Sequence, residues 1–282
     1  IGVNDYPIVF NTGQVIQGWV AMHRQDGDPR YLGAARRAAD WLISIQDEDG
    51  KWSRHEFHDI PHAYQSRVAW PLLELHALTQ DHRYRQAAER NVRWILSLGG
   101  EEGWIREMAF RRGENPFTHT IAYTLRGLLE CARLLDGELA IRVDAVVLNA
   151  CERILMRYER RKRDPRSSPE YLPGTLDEHF RSIDRYSCLT GNAQLAIVFI
   201  RLFEHGGDPR FLNAALKLID QVKATQSLRA INPAIRGAVG GSYPIWGRYT
   251  RFGYPNWAAK FLADALMLAR RVLAKLEREA GA

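Results

Sequence analysis

The segment GDPRYLGAARRAADWLISIQ (27–46) returns as GDPRFLNAALKLIDQVKATQ (207–226), and QDHRYRQAAERNVRWILSLG (80–99) follows the same plan. Such self-similarity restricts a chain to repeat architectures, in which each unit buries a face against the next. Every copy opens on an Asp-containing turn, passes an Arg and an aromatic residue, and continues as an amphipathic helix. Leu32, Ala35, Ala39, Leu42 and Ile43 recur at the three- and four-residue spacing of one helical face.

A second helix type alternates with the first. Its members open NTGQVIQGWVAMH (11), HAYQSRVAWPLLELH (62), HTIAYTLRGLLECARLL (119), SCLTGNAQLAIVFIRLF (187) and YPNWAAKFLADALMLARR (254). They are more apolar and richer in small residues, as befits helices buried on both sides. Pro255 suits the first position of its helix, and Ser187 or Thr190 would cap another. The pattern gives five inner and four outer helices at a spacing of roughly 50 to 65 residues, with almost no strand patterning. The expected fold is all-α: an α/α toroid built as a single domain over 1–282, an open or incomplete ring of five to six hairpins. With 282 residues, 46% of them hydrophobic, the chain can fill such a core.

WLISIQDEDGKW (41–52) sets three acids between two tryptophans. Trp41, Leu42, Gln46, Gly50 and Trp52 resemble the QW motif of the squalene cyclase and prenyltransferase superfamily of α/α toroids. WILSLGGEEGW (94–104) is a degraded copy that keeps Trp94, Gly103 and Trp104. The resemblance implies a structural motif: the Gln caps a helix end and the Trp packs over it. Gly50 suits the left-handed turn that ends a helix, leaving Asp47, Glu48 and Asp49 as solvated loop residues. The cyclase activity does not carry over, because the Asp-rich segment of terpene cyclases and the zinc ligands of protein prenyltransferases are both unmatched.

Other features narrow the function. The net charge of +6 favours an acidic partner, and RYERRKRDPR (157–166) is the one dense basic run. No zinc-finger or RNP-type segment accompanies it, so no nucleic acid is expected. Cys131, Cys151 and Cys188 lie apart in apolar stretches and read as buried free thiols; no metal site and no cofactor are expected. There is neither a leader-like start nor an apolar run of about 18 residues, so the expectation is a cytoplasmic protein that spans no membrane.

FNTGQVIQGWVAMH is similar to the TGQ helix starts of uronate-processing toroids. HAYQSRVAWPLLEL, HTIAYTLRGLLE and GSYPIWGRYTRFGYPNWAAKFLADAL are similar to toroid proteins of bacterial polysaccharide gene clusters. The resemblance implies a polysaccharide or oligosaccharide substrate. In a toroid the loops entering the inner helices converge at one mouth. There the sequence supplies Asn11, Gln14, His62, Tyr64, Arg67, His119, Tyr123, Tyr254 and Asn256, with Trp104, Arg106, Tyr243, Trp246, Arg248 and Tyr249 from adjoining loops. Aromatic faces stack on sugars and Arg forks grip carboxylates. Asn11 and Asn256 have a second reading as helix caps, and Arg67 one as the partner of Glu74 or Asp59.

A glycoside hydrolase needs two carboxyl groups across the scissile bond, yet the helix starts carry none. Acids occur only in loops, at Glu56, Asp59, Glu107, Glu114, Asp177, Glu178 and Asp184; Asp59, Asp177 and Asp184 are the candidates. A lyase or C5-epimerase instead removes the proton beside a uronate carboxylate. It needs neutral or cationic groups to hold that carboxylate, and Tyr or His to exchange the proton. That inventory fits better, with His62, Tyr64, His119 and Tyr123 as proton-transfer candidates and Asn11, Gln14 and Arg67 on the carboxylate. A non-catalytic glycan-binding scaffold is the reading from another class.

Overall fold

The computed structural model describes residues 6–99, 103–163 and 172–281, so part of the 157–166 basic run lies outside the described residues. Nine α-helices occur among them: α1 (Val9–Asp26), α2 (Pro29–Ser44), α3 (Ser66–Thr79), α4 (His82–Ser97), α5 (Thr118–Ala132), α6 (Gly137–Arg163), α7 (Leu189–Gly206), α8 (Pro209–Ala224) and α9 (Asn256–Ala280). The one sheet among the described residues pairs β1 (Ser187–Cys188) antiparallel with β2 (Ser242–Tyr243). No helix is long and apolar enough to cross a membrane, among the residues described. The chain falls into two compact units, Ile1–Glu114 with Tyr123–Val147, and Asn115–Ala122 with Leu148–Ala282.

In the first unit α1 packs on α2 and α3, and α3 packs on α4. A two-residue turn makes each hairpin. After α1, Gly27 takes a left-handed φ of 76° and donates its N–H to the His23 carbonyl to end the helix, and Asp28 then caps α2 by accepting from Arg30 N–H. After α3 the same turn is made by Gln80 and Asp81. In the second unit Gly207 and Asp208 repeat it between α7 and α8. The Arg two residues after each capping Asp turns its own guanidinium back onto that carboxylate. This is the physical content of the Asp-x-Arg echo: one carboxylate satisfies an orphan N–H of the helix start and a surface cation together.

The inner-helix starts differ from the sequence expectation by a few residues. Val9 N–H donates to the His55 carbonyl 3.0 Å away, so a loop carbonyl caps α1 from outside and the helix begins two residues before Asn11. Asn11 therefore sits exposed inside the first turn and caps nothing. Pro255 is the extended residue before α9, with exposed Asn256 as the first helical residue, so neither fills its expected position. Ser187 lies in β1 and Thr190 is the second residue of α7, which Cys188 precedes without a side-chain cap. His62 comes ahead of a 3-10 turn, Ala63–Gln65, that delays α3 to Ser66.

Buried glycines let inner helices approach closely. A Cβ on Gly127 of α5 would lie 2.3 Å from Ser66 Oγ, and one on Gly191 of α7 would lie 2.3 Å from Thr118 Oγ1. In α7 every residue from Leu189 to Ile200 is buried, which accounts for its apolar circumference.

The Trp41–Trp52 stretch is a helix-end clamp. Gln46 Nε2 donates to the carbonyls of Gly50 and Ala87, both at 2.9 Å, while its Oε1 accepts from Arg90 at 2.6 Å. Trp52 is fully buried and its indole N–H donates to the Leu42 carbonyl at 2.9 Å. Gly50 has φ 94°, and a Cβ there would strike the Arg90 backbone at 2.4 Å. Gln226 in the second unit echoes Gln46 by donating to the Gly237 carbonyl at 2.7 Å. Cys131, Cys151 and Cys188 are buried free thiols, raised above the usual thiol range by burial.

Candidate functional site

In the first unit the start of α3 brings together most of the proton-transfer and carboxylate candidates. The Tyr64 ring lies 5.6 Å from Phe10 and 6.3 Å from Tyr123, and Phe10 lies 5.0 Å from Tyr123, so three elements contribute to one aromatic cluster. Tyr64 is 3% exposed, yet its hydroxyl makes no hydrogen bond to a described residue. Burial, followed by Glu56 and Tyr123, pushes the Tyr64 phenol well above its ordinary range, which keeps it protonated at neutral pH.

Arg67 is buried one helical turn further on. Its guanidinium donates to Gln14 Oε1 at 2.8 Å and Gln17 Oε1 at 3.4 Å, and Gln14 Nε2 donates back to the Arg67 carbonyl at 3.0 Å. It lies 4.8 Å from the Trp70 ring and 5.8 Å from the Tyr123 ring. Glu74, one of its two expected partners, accepts instead from the Trp70 indole and from Arg24. Gln14 and Arg67 thus hold each other through two hydrogen bonds.

His62 stacks on Tyr64 with centroids 4.4 Å apart and planes within 13°. Its Nδ1 faces the Ala109 carbonyl at 3.1 Å and its Nε2 faces the Phe57 carbonyl at 3.0 Å. Burial lowers its pKa, the carbonyls opposing the shift. A neutral imidazole donates from one of these nitrogens only, and the ring packs flat against Tyr64.

Glu56 is hard to single out from sequence, being one acid among seven in loops. It is 7% exposed, and neither carboxyl oxygen makes a hydrogen bond in good geometry with a described residue. Burial pushes its pKa up to about 8, although the Gln65 amide and Phe57 N–H act to lower it. A neutral carboxylic acid therefore sits beside Tyr64. Around it His55, His58 and Asp59 all hold left-handed φ between 51° and 60°, a strained backbone of the kind that persists where the surroundings over-determine it.

Asp177 accepts from His179 N–H and Arg181 N–H, and Asp184 from Thr175 N–H and Oγ1–H, so both clip turns. Asp59 is exposed. In the first unit Trp104 is half-buried and Arg106 is exposed.

His119 belongs to the second unit. Its Nδ1 meets the Gln194 side-chain amide at 2.6 Å, its ring lies 5.0 Å from Tyr249, and burial pushes its pKa down to about 3. It is a neutral imidazole across the physiological range. Tyr249 is 6% exposed and accepts from the Trp257 indole at 2.8 Å, so it braces the His119 ring. Tyr243, Trp246 and Tyr254 are 43–45% exposed and Arg248 is exposed. Among the described residues no three His, Cys, Asp or Glu side chains are placed to hold a metal ion.

No protein-family model and no curated protein matches the sequence. Solved structures do. The unsaturated glucuronyl hydrolase of Bacillus sp. GL1 superposes on 92% of this chain and 73% of its own, with TM-score 0.68 and 15% identity. A polysaccharide lyase matches over 90% of this chain and 70% of its own, with TM-score 0.60 and 14% identity. The cellobiose 2-epimerase of Bacillus thermoamylovorans B4167 matches over 83%, with TM-score 0.63 and 14% identity, and this chain spans 63% of its length. These likenesses show the fold: the chain is an α/α toroid.

Proposed function

We propose that the protein acts on an anionic, uronate-containing polysaccharide by abstracting the proton at C5, as a lyase or an epimerase. The observation that carries this reading is the cluster of Tyr64 and Tyr123, 6.3 Å apart, with the Arg67 guanidinium over the Tyr123 ring. Arg67, aimed by Gln14 and Gln17, takes the uronate carboxylate and with it the charge that develops as C5 loses its proton. Tyr123, whose ring the Arg67 guanidinium approaches to 5.8 Å, is the base. Tyr64, held protonated by burial, returns a proton to the opposite face in an epimerase or to the leaving oxygen in a lyase. The carbohydrate-processing neighbours of the same fold support a sugar substrate.

Incubation with a panel of uronate polysaccharides, followed by ultraviolet absorbance, tests the lyase form directly. β-Elimination creates a conjugated double bond. The expected result is a rise with one polymer that falls by about 10²–10⁴ in Tyr64→Phe and Tyr123→Phe, the usual range for loss of a proton-transfer group. Turnover undiminished in both variants would defeat the assignment.

Glu56 supports a second reading. A buried, neutral carboxyl group is what a glycoside hydrolase uses as general acid. Reducing-end release without absorbance, abolished in Glu56→Gln, would favour it.

A further inference from the structure

The segment 241–257 of the second unit carries aromatic side chains that the protein core does not use. Tyr243, Trp246, Phe252, Tyr254 and Trp257 are 43–63% exposed. Five large aromatics exposed within one short segment are more than scattered surface residues, and mark a candidate binding face. Backbone bonds fold the segment into a compact hairpin: Gly241 N–H donates to Gly253 O at 3.0 Å, Phe252 N–H to Ile245 O at 2.8 Å, and Gly247 N–H to Pro244 O at 3.0 Å. The Trp257 indole ties the start of α9 to the same hairpin through the Tyr249 hydroxyl at 2.8 Å.

Two features separate this surface from incidental exposure. Thr250 and Phe252 hold left-handed φ of 48° and 55°. For a bulky residue that conformation is costly, and here it leaves Phe252 63% exposed to solvent. The charge is also one-sided. Between Arg229 and Trp257 the chain contains Arg229, Arg236, Arg248 and Arg251 but no Asp or Glu, while Lys260 is paired with Asp264 of α9. Arg248 and Arg251 are exposed, and the Arg251 guanidinium lies 5.4 Å over the Phe252 ring.

We infer that this hairpin is a docking platform for an extended anionic glycan, distinct in function from the proton-transfer cluster. Aromatic rings stack on the apolar faces of successive sugars while Arg248 and Arg251 pair with their carboxylates or sulfates. The inference rests on the carbohydrate reading for its choice of occupant, and extends it: the platform holds polymer and does no chemistry. Phe252, Arg251 and Trp257 join Tyr243, Trp246, Tyr254 and Arg248 in this role.

Equilibrium binding separates the two ideas because it requires no turnover. Polyglucuronate, polygalacturonate and alginate would be titrated into the wild-type protein, Trp246→Ala/Phe252→Ala, and Arg248→Gln/Arg251→Gln, with neutral dextran and a (dT)20 oligonucleotide as comparisons. Circular dichroism melts would check that the variants fold. The expected result is binding of at least one uronate polymer, about tenfold weaker in either double variant, with a salt dependence that the Arg variant loses. Equal binding by folded wild type and variants would overturn the platform, as would absence of binding to every uronate polymer. Preference for (dT)20 over all of them would overturn the glycan as occupant. Absence of turnover together with variant-sensitive binding would remove the C5-abstraction reading and leave the platform standing.

Discussion

Replacing Glu56 with Gln should stabilise the protein increasingly as pH rises from about 4.5 to about 8. The carboxyl is held at about 8 by burial, against an ordinary value of 4.5. Below 4.5 it is protonated in both folded and unfolded chains and does nothing to stability. Between the two values the unfolded chain releases the proton while the folded chain retains it, so stability falls with pH. Above about 8 both states are ionised and the penalty is constant. The gap, at about 1.4 kcal/mol per pH unit, sets an upper limit of about 5 kcal/mol. The amide introduced by Glu56→Gln has no proton to lose and nearly the same shape, so the variant escapes the penalty. His62 acts with the opposite sign: its lowered pKa weakens the folded state as pH falls below 6.5. It is present in both proteins and cancels in the difference. Urea unfolding of the two proteins at pH 5, 6.5 and 8 reads the effect directly. The stability difference should be small at pH 5 and should grow by several kcal/mol by pH 8. A difference that stays flat would show that Glu56 is ionised in the folded protein, and would remove both the neutral acid and the hydrolase reading that uses it.

Other consequences follow from the same contacts. Asp208→Ala should lower stability by about 1 kcal/mol through loss of the α8 cap, measured by thermal or urea unfolding. Trp52→Ala should cost about 3–5 kcal/mol, since it empties a fully buried site and frees the Leu42 carbonyl. Arg67→Met should raise KM for a uronate polymer as well as lower kcat, whereas Gln14→Ala should show the same pattern more weakly, because it acts through Arg67. The His119 ring should stay neutral in NMR titration down to about pH 4, consistent with its pKa near 3.

Hairpin order was legible in the sequence because it rests on local chemistry. The Asp-x-Arg turns announce themselves, and helical periodicity located the five inner helices and three of the outer ones in the order that the structure has them, while α6 was counted without being located. The motif around Gln46 and Trp52 was readable from its spacing, although Gln46 also reaches Ala87 and Arg90 of α4, which the spacing does not reveal. Helix starts fixed from a distance were not. The His55 carbonyl that caps α1 is 46 residues from Val9, and nothing near Asn11 reveals it. The site divides likewise. Tyr64, Tyr123, Gln14 and Arg67 could be proposed because they open inner helices, and the structure assembles them in one unit. Glu56 stood out only once burial was known, since the loop around it has no period and carries three left-handed residues that no sequence rule marks. Gln17 was missed because a glutamine on an inner helix reads as an ordinary half-buried residue until its partner, Arg67, is seen beside it.

Abstraction of the C5 proton is the central claim, and one experiment addresses it whether the protein is a lyase or an epimerase. Uronate polysaccharides would be incubated with the protein in D2O and followed by proton NMR at the H5 resonance. The account predicts loss of the H5 signal with at least one polymer, through exchange or elimination, and its retention with Tyr123→Phe. Release of reducing ends with H5 fully retained would contradict it.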